Sequence, residues 1–440
     1  MKPSTIQALQ NNFSGEIITP GDKQYEQAST VVATKGAPAA VVRPRTADDV
    51  AAAIQYARDN SLVISVRSGG HSNAGFGTNN GGVVIDLRHF NEIKIIDKEH
   101  GRVRLGSGAT WEEVASTLQQ AGLALSSGDT KSVGVGGLTL GAGVGWMVRK
   151  YGLTIDNLVS ADMVTADGKL LHVSESEHSD LFWAIRGGGG NFGIVLNFEF
   201  VAHSIGKIYA GVISYKLDNL AELLKGWRDH MRAASEDLTT TFLLLPAFGD
   251  NPPAANVLCC FAGDDAEAAN AAINPLLQIG TVLRNTVAEK EYADVLEESR
   301  LQPNVKVVVN NVFAQDFSDA LIETIAKQNG RILQIRSVGG AMNRVAADAT
   351  AFAHRDSEVL IIAPVFVPSN ASEDEIAAAL KPWRDIAAFG KGAYSNFFSE
   401  ASDTEVTATY PPATYDRLAA IKKTYDPENV FSQNLNVRPA

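Results

Sequence analysis

Glycine constrains this chain more than any other residue, because of where it falls. The sequence holds 38 glycines, and they crowd into four stretches: 69–82, 101–108, 128–145 and 187–193. The rest of the chain is glycine-poor. A residue without a Cβ lets backbone approach backbone or ligand closely. Clusters confined to the first half predict either many tight turns or one large ligand lying along several loops. β-branched residues interrupt them, as in "GVGGLTLGAGVG" at 134–145, which favours the ligand. Successive N–H groups in such loops make concave anion sites without Lys or Arg. That suits a diphosphate on a chain whose net charge is −12.

The familiar nucleotide motifs do not account for these loops. "GGGNFG" at 188–193 satisfies GxGxxG, but it follows a helical pattern, "SDLFWAIRGG", and leads into a strand, "IVLNFEF". In the dinucleotide fingerprint the glycines must open a helix that meets the pyrophosphate. The context is inverted, and no GK[ST] follows either glycine run.

Length and charge narrow the partners. At 440 residues the chain accommodates two or three domains. An isoelectric point near 5.2 argues against nucleic acid or an anionic membrane as partner. No apolar run reaches the roughly 18 to 20 residues of a membrane span. The first twenty residues lack the apolar core of a secretory signal. Only Cys259 and Cys260 occur, adjacent in "NVLCCFAG", where strand geometry points them to opposite faces. They read as buried apolar residues without metal-ligand spacing, consistent with a reducing, cytoplasmic setting.

The pattern predicts an α+β chain. "LVISV" and "GGVVIDL" read as strands, and residues 39–60 as a short strand, "AAVV", followed by a helix capped at Thr46 or Asp48. "TWEEVASTLQQAG" predicts a helix closed by Gly122, and Asp167-Gly168 predicts a hairpin. Composition shifts near 205. From 206 to 400 strands alternate with amphipathic helices, predicting a second sheet with helices on one face. Residues 401–440 follow as a C-terminal segment, whose 413–440 is a helix and an irregular tail.

At this point the motifs resemble a known family. "ISVRSGGHS", "GDTKSVGVGGLTLGAGVGWMVRKYGLTIDNLVSADMVTADG", "LFWAIRGGGGNFGIV" and "YDPENVFSQNLNVRP" are similar to the berberine-bridge-enzyme-like, FAD-linked oxidases of the vanillyl-alcohol-oxidase type. The resemblance runs in order over about 38–205 and again over 413–440, and is thinner between. It implies a two-subdomain FAD-binding domain over 1–205, a substrate domain of antiparallel sheet under helices over 206–400, and a tail returning to the first domain.

The resemblance also implies roles. His71 is the position bonded covalently to the 8α-methyl of FAD. A second bond, from cysteine in many members, falls here on Thr130, so a single bond is expected, as in some bacterial members. Arg67, Ser68, Gly69, Gly70 and Ser72, with the 128–138 loop including Gly134, would cradle the pyrophosphate through backbone and hydroxyl groups. Gly137, Thr139, Gly143 and Val195 would line the adenosine, and Asn434 and Asn436 the isoalloxazine. Val133 stands where valine goes with oxygen access. Tyr394, in "GAYSNFF", would assist proton removal, its pKa lowered by the covalent flavin or by a neighbouring cation such as Arg355 or Lys306. The place of an expected polar residue is taken by Ile362 or Ala363. The implied reaction is hydride transfer from a small alcohol, saccharide or amine, with O2 as acceptor and hydrogen peroxide as product. A dehydrogenase using another acceptor and a non-catalytic flavoprotein are the alternatives. The protein would act as a monomer or homodimer.

Overall fold

The computed structural model describes residues 5–11, 13–247, 253–298, 305–328, 330–368 and 370–440, the side chains of 305 and 306 excepted. The first apolar runs form a four-stranded sheet in the order Glu16–Ile18, Ala40–Arg43, Val83–Asp86, Ile64–Arg67. The last three strands are parallel neighbours. Their apolar residues Ala40, Val41, Val42, Ile64, Val66, Val83, Val84 and Ile85 are what burial on both faces demands. Helix Ala47–Asp59 packs Val50, Ala53, Ile54 and Ala57 over them. Of the two expected caps, Thr46 does the work: its hydroxyl accepts from Asp49 N, while the Asp49 carboxylate accepts from Thr46 N, both at 3.1 Å. Ile64–Arg67 then releases the chain into Ser68–Ser72. Open parallel sheets bind ligands at this carboxyl end.

The second sheet is antiparallel, in the order Ile93–Asp97, Arg102–Gly106, Ile194–Val201, Leu158–Val164, Leu170–Ser174. The last two strands form the expected hairpin, with Gly168 at φ +80°. Helix Trp111–Gln119, capped by Thr110, covers the sheet with Trp111, Val114 and Leu118 in a shared core. Gly122, at φ +71°, lies beyond the helix end rather than on it. The "GGGNFG" glycines join helix Ser179–Ile185 to strand Ile194–Val201, as the inverted context requires.

The third sheet is wholly antiparallel. Its main path runs Val282–Asn285, Lys207–Tyr215, Ala254–Phe261, Leu238–Leu245, Leu333–Ser337, Val359–Pro368, Val305–Ala314. Side chains alternate strictly between its faces. Ile361 and Ala363 join the core under helices Leu220–Ala233, Asp319–Ala326 and Glu373–Ala387. Leu360 and Ile362 pack the other way, against Ala142, Val144, Leu153 and Ile155 of the glycine-rich half. Cys259 and Cys260 follow the same alternation and enter different cores as free, buried thiols. Among the described residues no helix is long and apolar enough to cross a membrane.

Helix Pro412–Tyr425 carries the chain back to the second sheet's core through Leu418, Ala419 and Ile421. Its Lys422 is fully buried and pairs at 2.6 Å with Asp426, equally buried. The ammonium also donates to the carbonyls of Asn191, at 2.7 Å, and Phe431, at 3.0 Å. The Asp426 carboxylate accepts from the N–H groups of Val430 and Phe431. This cluster ties the tail to the 188–193 glycine loop. Removing one partner of a buried pair leaves the other charge uncompensated, at a cost of about 3–5 kcal/mol. Lys422→Met is expected to lose about that much in urea unfolding. A loss below about 1 kcal/mol would show that the pair holds nothing in place.

Candidate active site

Three of the four glycine stretches (69–82, 128–145 and 187–193) and the tail converge on one cleft of about 390 Å³. Its first wall exists because two loops meet backbone to backbone. A Cβ on Gly69 would stand 2.3 Å from Gly134 N, and one on Gly134 would stand 2.0 Å from Ser68 Oγ. Neither distance is tolerable, so both positions demand glycine. Gly137 and Gly190 are different: a Cβ there would meet nothing within 4 Å and would project into open space. Both line the cleft.

This packing leaves polar groups facing the cleft. From Ser68 to Ser72, no backbone N–H donates to a protein group among the described residues. Such a run of unpaired donors on a cleft wall is an anion site. Cleft-lining Arg67 Nη2, Ser107 Oγ and Asn434 Oδ1 are also buried without partners. His71 stands on the same loop, half-buried. Burial pushes its pKa down, and no protein hydrogen bond engages its ring nitrogens among the described residues. At neutral pH it is an uncharged imidazole with a nucleophilic nitrogen free.

The opposite wall comes from the third sheet and the segment after it. Tyr394 is held at both ends. Its N–H donates to Asn311 Oδ1 at 2.6 Å, and its carbonyl accepts from Asn311 Nδ2 at 3.1 Å. Its phenol oxygen accepts from Gly143 N at 3.1 Å, Val144 N at 3.4 Å and Asn396 Nδ2 at 2.9 Å. Beside it Arg336 pairs with Asp129 and lies over the Phe397 ring, 5.2 Å from its centroid.

Several sequence expectations require correction here. Tyr394 was expected to have a lowered pKa. Burial instead raises it, outweighing the three donors and the nearby charge of Arg336. Arg355 is not that cation: it is committed to Asp156, at 2.7 Å through each of two nitrogens. The Lys306 side chain lies outside the described residues. Thr139 is fully buried and absent from the cleft wall. Gly143 is walled off by Thr154, whose Oγ1 would lie 2.1 Å from an added Cβ. Asn436 does not line the cleft, although Gln433, Asn434 and Leu435 do. Ser68 spends its hydroxyl on the Ser107 carbonyl and on Gly136 N. Ala363 faces the helices, leaving Ile362 as the apolar residue on the cleft side of that strand.

The remaining expected positions come together. Arg67, Ser68, Gly69, Gly70, His71, Ser72, Thr130, Val133, Gly134, Gly137, Val195, Tyr394 and Asn434 all line the cleft. Sequence reasoning missed Asp129, Arg336, Asn396, Phe397 and Tyr410. Arg336 enters through sheet pairing and Tyr410 from helical sequence, so neither bore a local signal. Asp129 and Asn396 sat inside quoted motifs without being singled out.

The donor set suits a dinucleotide: an unpaired N–H run for a diphosphate, glycine-floored space beside it, and apolar walls from Val66, Leu138 and Val195. Similarity to known proteins agrees. Residues 38–174 match a family model described as an FAD binding domain, and 393–438 match one described as berberine and berberine like. The chain is 30% identical to (R)-6-hydroxynicotine oxidase of Paenarthrobacter nicotinovorans, over 97% of each protein. The crystal structure of 6-hydroxy-D-nicotine oxidase from Arthrobacter nicotinovorans superposes with a TM-score of 0.89, covering 99% of this chain and 100% of that one at 30% identity. A structure of glucooligosaccharide oxidase from Acremonium strictum, described with a 6-S-cysteinyl, 8α-N1-histidyl FAD, superposes at 0.84, with 26% identity over 99% of this chain and 100% of that one. Fold, cleft and kinship agree: the chain is an FAD-linked oxidoreductase of the berberine-bridge-enzyme-like family.

Proposed function

We propose that this protein is an oxidase of a CH–OH or CH–NH group in a small molecule, with FAD tethered by one covalent bond from His71. The observation that carries this reading is the uncharged, unpartnered imidazole on the rim of the anion-binding loop. A ring nitrogen with no protein partner is free to attack an electrophilic carbon of the ligand. At the second attachment position stands Thr130, whose hydroxyl donates to Asp129 Oδ1 at 2.9 Å. Cys259 and Cys260 are buried in the third sheet and away from the cleft wall. Bound FAD supplies a two-electron acceptor.

The chain's own residues do the rest. The unpaired N–H groups of 68–72 would take the diphosphate, and Asn434 would offer its free Oδ1 to the isoalloxazine. Tyr394 remains protonated at neutral pH. Its oxygen already accepts three hydrogen bonds, so what it has left for a ligand is its own proton. Tyr394 therefore positions substrate as a donor and does not remove its proton.

Acid-denatured wild-type protein run on a gel is expected to fluoresce under ultraviolet light. His71→Ala should abolish the band and Thr130→Ala should leave it. A dark band from wild-type protein fully loaded with flavin would rule the tether out.

Val133 lines the cleft with a short side chain, which would leave a diatomic molecule room to reach a bound flavin. Val133→Ile adds one methylene. Overpacking of about 1–3 kcal/mol corresponds to a roughly 5- to 150-fold slower reaction. Stopped-flow reoxidation by oxygen should slow by that amount, while turnover with an artificial dye acceptor holds. Slow wild-type reoxidation would favour a dehydrogenase.

A further inference from the structure

The raised pKa of Tyr394 leaves the substrate's proton without an acceptor. Among the described residues that line the cleft, Asp129 is the only carboxylate. The other ionisable groups there are Arg67, Arg336, His71, Tyr394 and Tyr410. The arginines are cations, His71 is assigned to the tether, and burial raises both phenols.

Asp129 is built into the wall. Its Oδ1 accepts from Thr130 and its Oδ2 from Arg336 Nη2. Each carboxylate oxygen has a further lone-pair site, and the side chain keeps 34% of its exposure despite the pairing. Arg336 arrives from strand Leu333–Ser337, so the pair joins the glycine loop to the substrate sheet. Arg336 is 9% exposed, its Nη2 is shared with Gln334 Oε1, and its Nε is buried with no partner. An unpaired guanidinium N–H beside a carboxylate is a costly arrangement unless a ligand completes it.

We propose that Asp129 and Arg336 together hold the hydroxyl of an alcohol substrate, and that Asp129 accepts its proton during oxidation. This rests on the oxidase reading above. A hydroxyl offers one donor and two acceptor sites. Its O–H donates to Asp129 while its oxygen accepts from Arg336 Nε. A protonated amine has only donors and would face the guanidinium charge, so the pair selects CH–OH over CH–NH. The step balances. The O–H bond breaks and its proton goes to Asp129. The C–H bond breaks and its hydride, carrying two electrons, goes to oxidised FAD. The substrate leaves as a carbonyl compound.

The strength of the base is consistent with this. Burial pushes the Asp129 carboxyl up, but Arg336 and the Thr130 hydroxyl pull it further down, so it is ionised at neutral pH. A weak base suffices because the hydroxyl becomes strongly acidic as hydride departs. Arg336 meanwhile stabilises the oxygen as it becomes a carbonyl.

The test is anaerobic stopped-flow bleaching of the holoenzyme by xylobiose, a glucooligosaccharide, a chitooligosaccharide, benzyl alcohol and 6-hydroxynicotine. Covalent flavin content and thermal midpoint are measured beside it. An alcohol probe should bleach the wild type. Asp129→Asn, which can still accept from Arg336, should cut the limiting rate by about 10²- to 10⁴-fold, with flavin content and midpoint retained. Arg336→Met should raise the half-saturating probe concentration. Asp129→Asn/Arg336→Met should stay as slow as Asp129→Asn. Recovery of the wild-type rate in the double variant would make the pair structural only. A rate within a few-fold of wild type in Asp129→Asn would also overturn the proposal. Bleaching by 6-hydroxynicotine alone would overturn the alcohol assignment and leave the oxidase reading standing. If no probe bleaches wild type, both readings fall.

Discussion

Everything in the cleft depends on the contact between Gly69 and Gly134. Two backbone segments from different subdomains touch where no Cβ fits. That contact has three consequences. It holds the 68–72 loop on the cleft wall, where its amides donate to no protein group among the described residues. It places His71, two residues after Gly69, on the rim of the cleft. It also brings Val133, next to Gly134, onto the same wall. One steric constraint thus sets the unpaired amide run and the positions of His71 and Val133 together.

The far wall is held by long-range bonds instead. Asn311 clamps the Tyr394 backbone from the neighbouring strand, and Arg336 reaches across to Asp129. The Glu297 backbone, outside the strands of the third sheet, further stitches the 129–131 loop: it accepts from Lys131 N and donates to the Asp129 carbonyl. Lys422 closes the third side by fixing the tail against Asn191. A rigid cofactor wall facing a wall assembled by pairing suits a family in which cofactor chemistry is shared while substrates differ.

What could be read from the sequence follows the same division. Glycine spacing, the "RSGGHS" loop and the hairpin at Asp167-Gly168 are local signals: the glycine loops line one cleft, and the hairpin forms as expected. Thr139 and Gly143 lie off the cleft wall because a motif gives adjacency along the chain and not direction: one side chain is buried, and the other site is walled by Thr154. Asp129 lay between two quoted residues, but its significance comes from Arg336, 207 positions away. The pKa of Tyr394 was expected in the wrong direction because its burial depends on packing among strands and loops far apart in sequence.

The central claim is that the backbone contact between the two loops creates the FAD site. The most direct measurement is the flavin-to-protein ratio of purified Gly134→Ala, taken with its far-ultraviolet circular dichroism. Sheets and helices like those of the wild type are expected, with flavin well below one per chain, because the added Cβ pushes the loops apart and scatters the amide run. A full complement of flavin in that variant would contradict it.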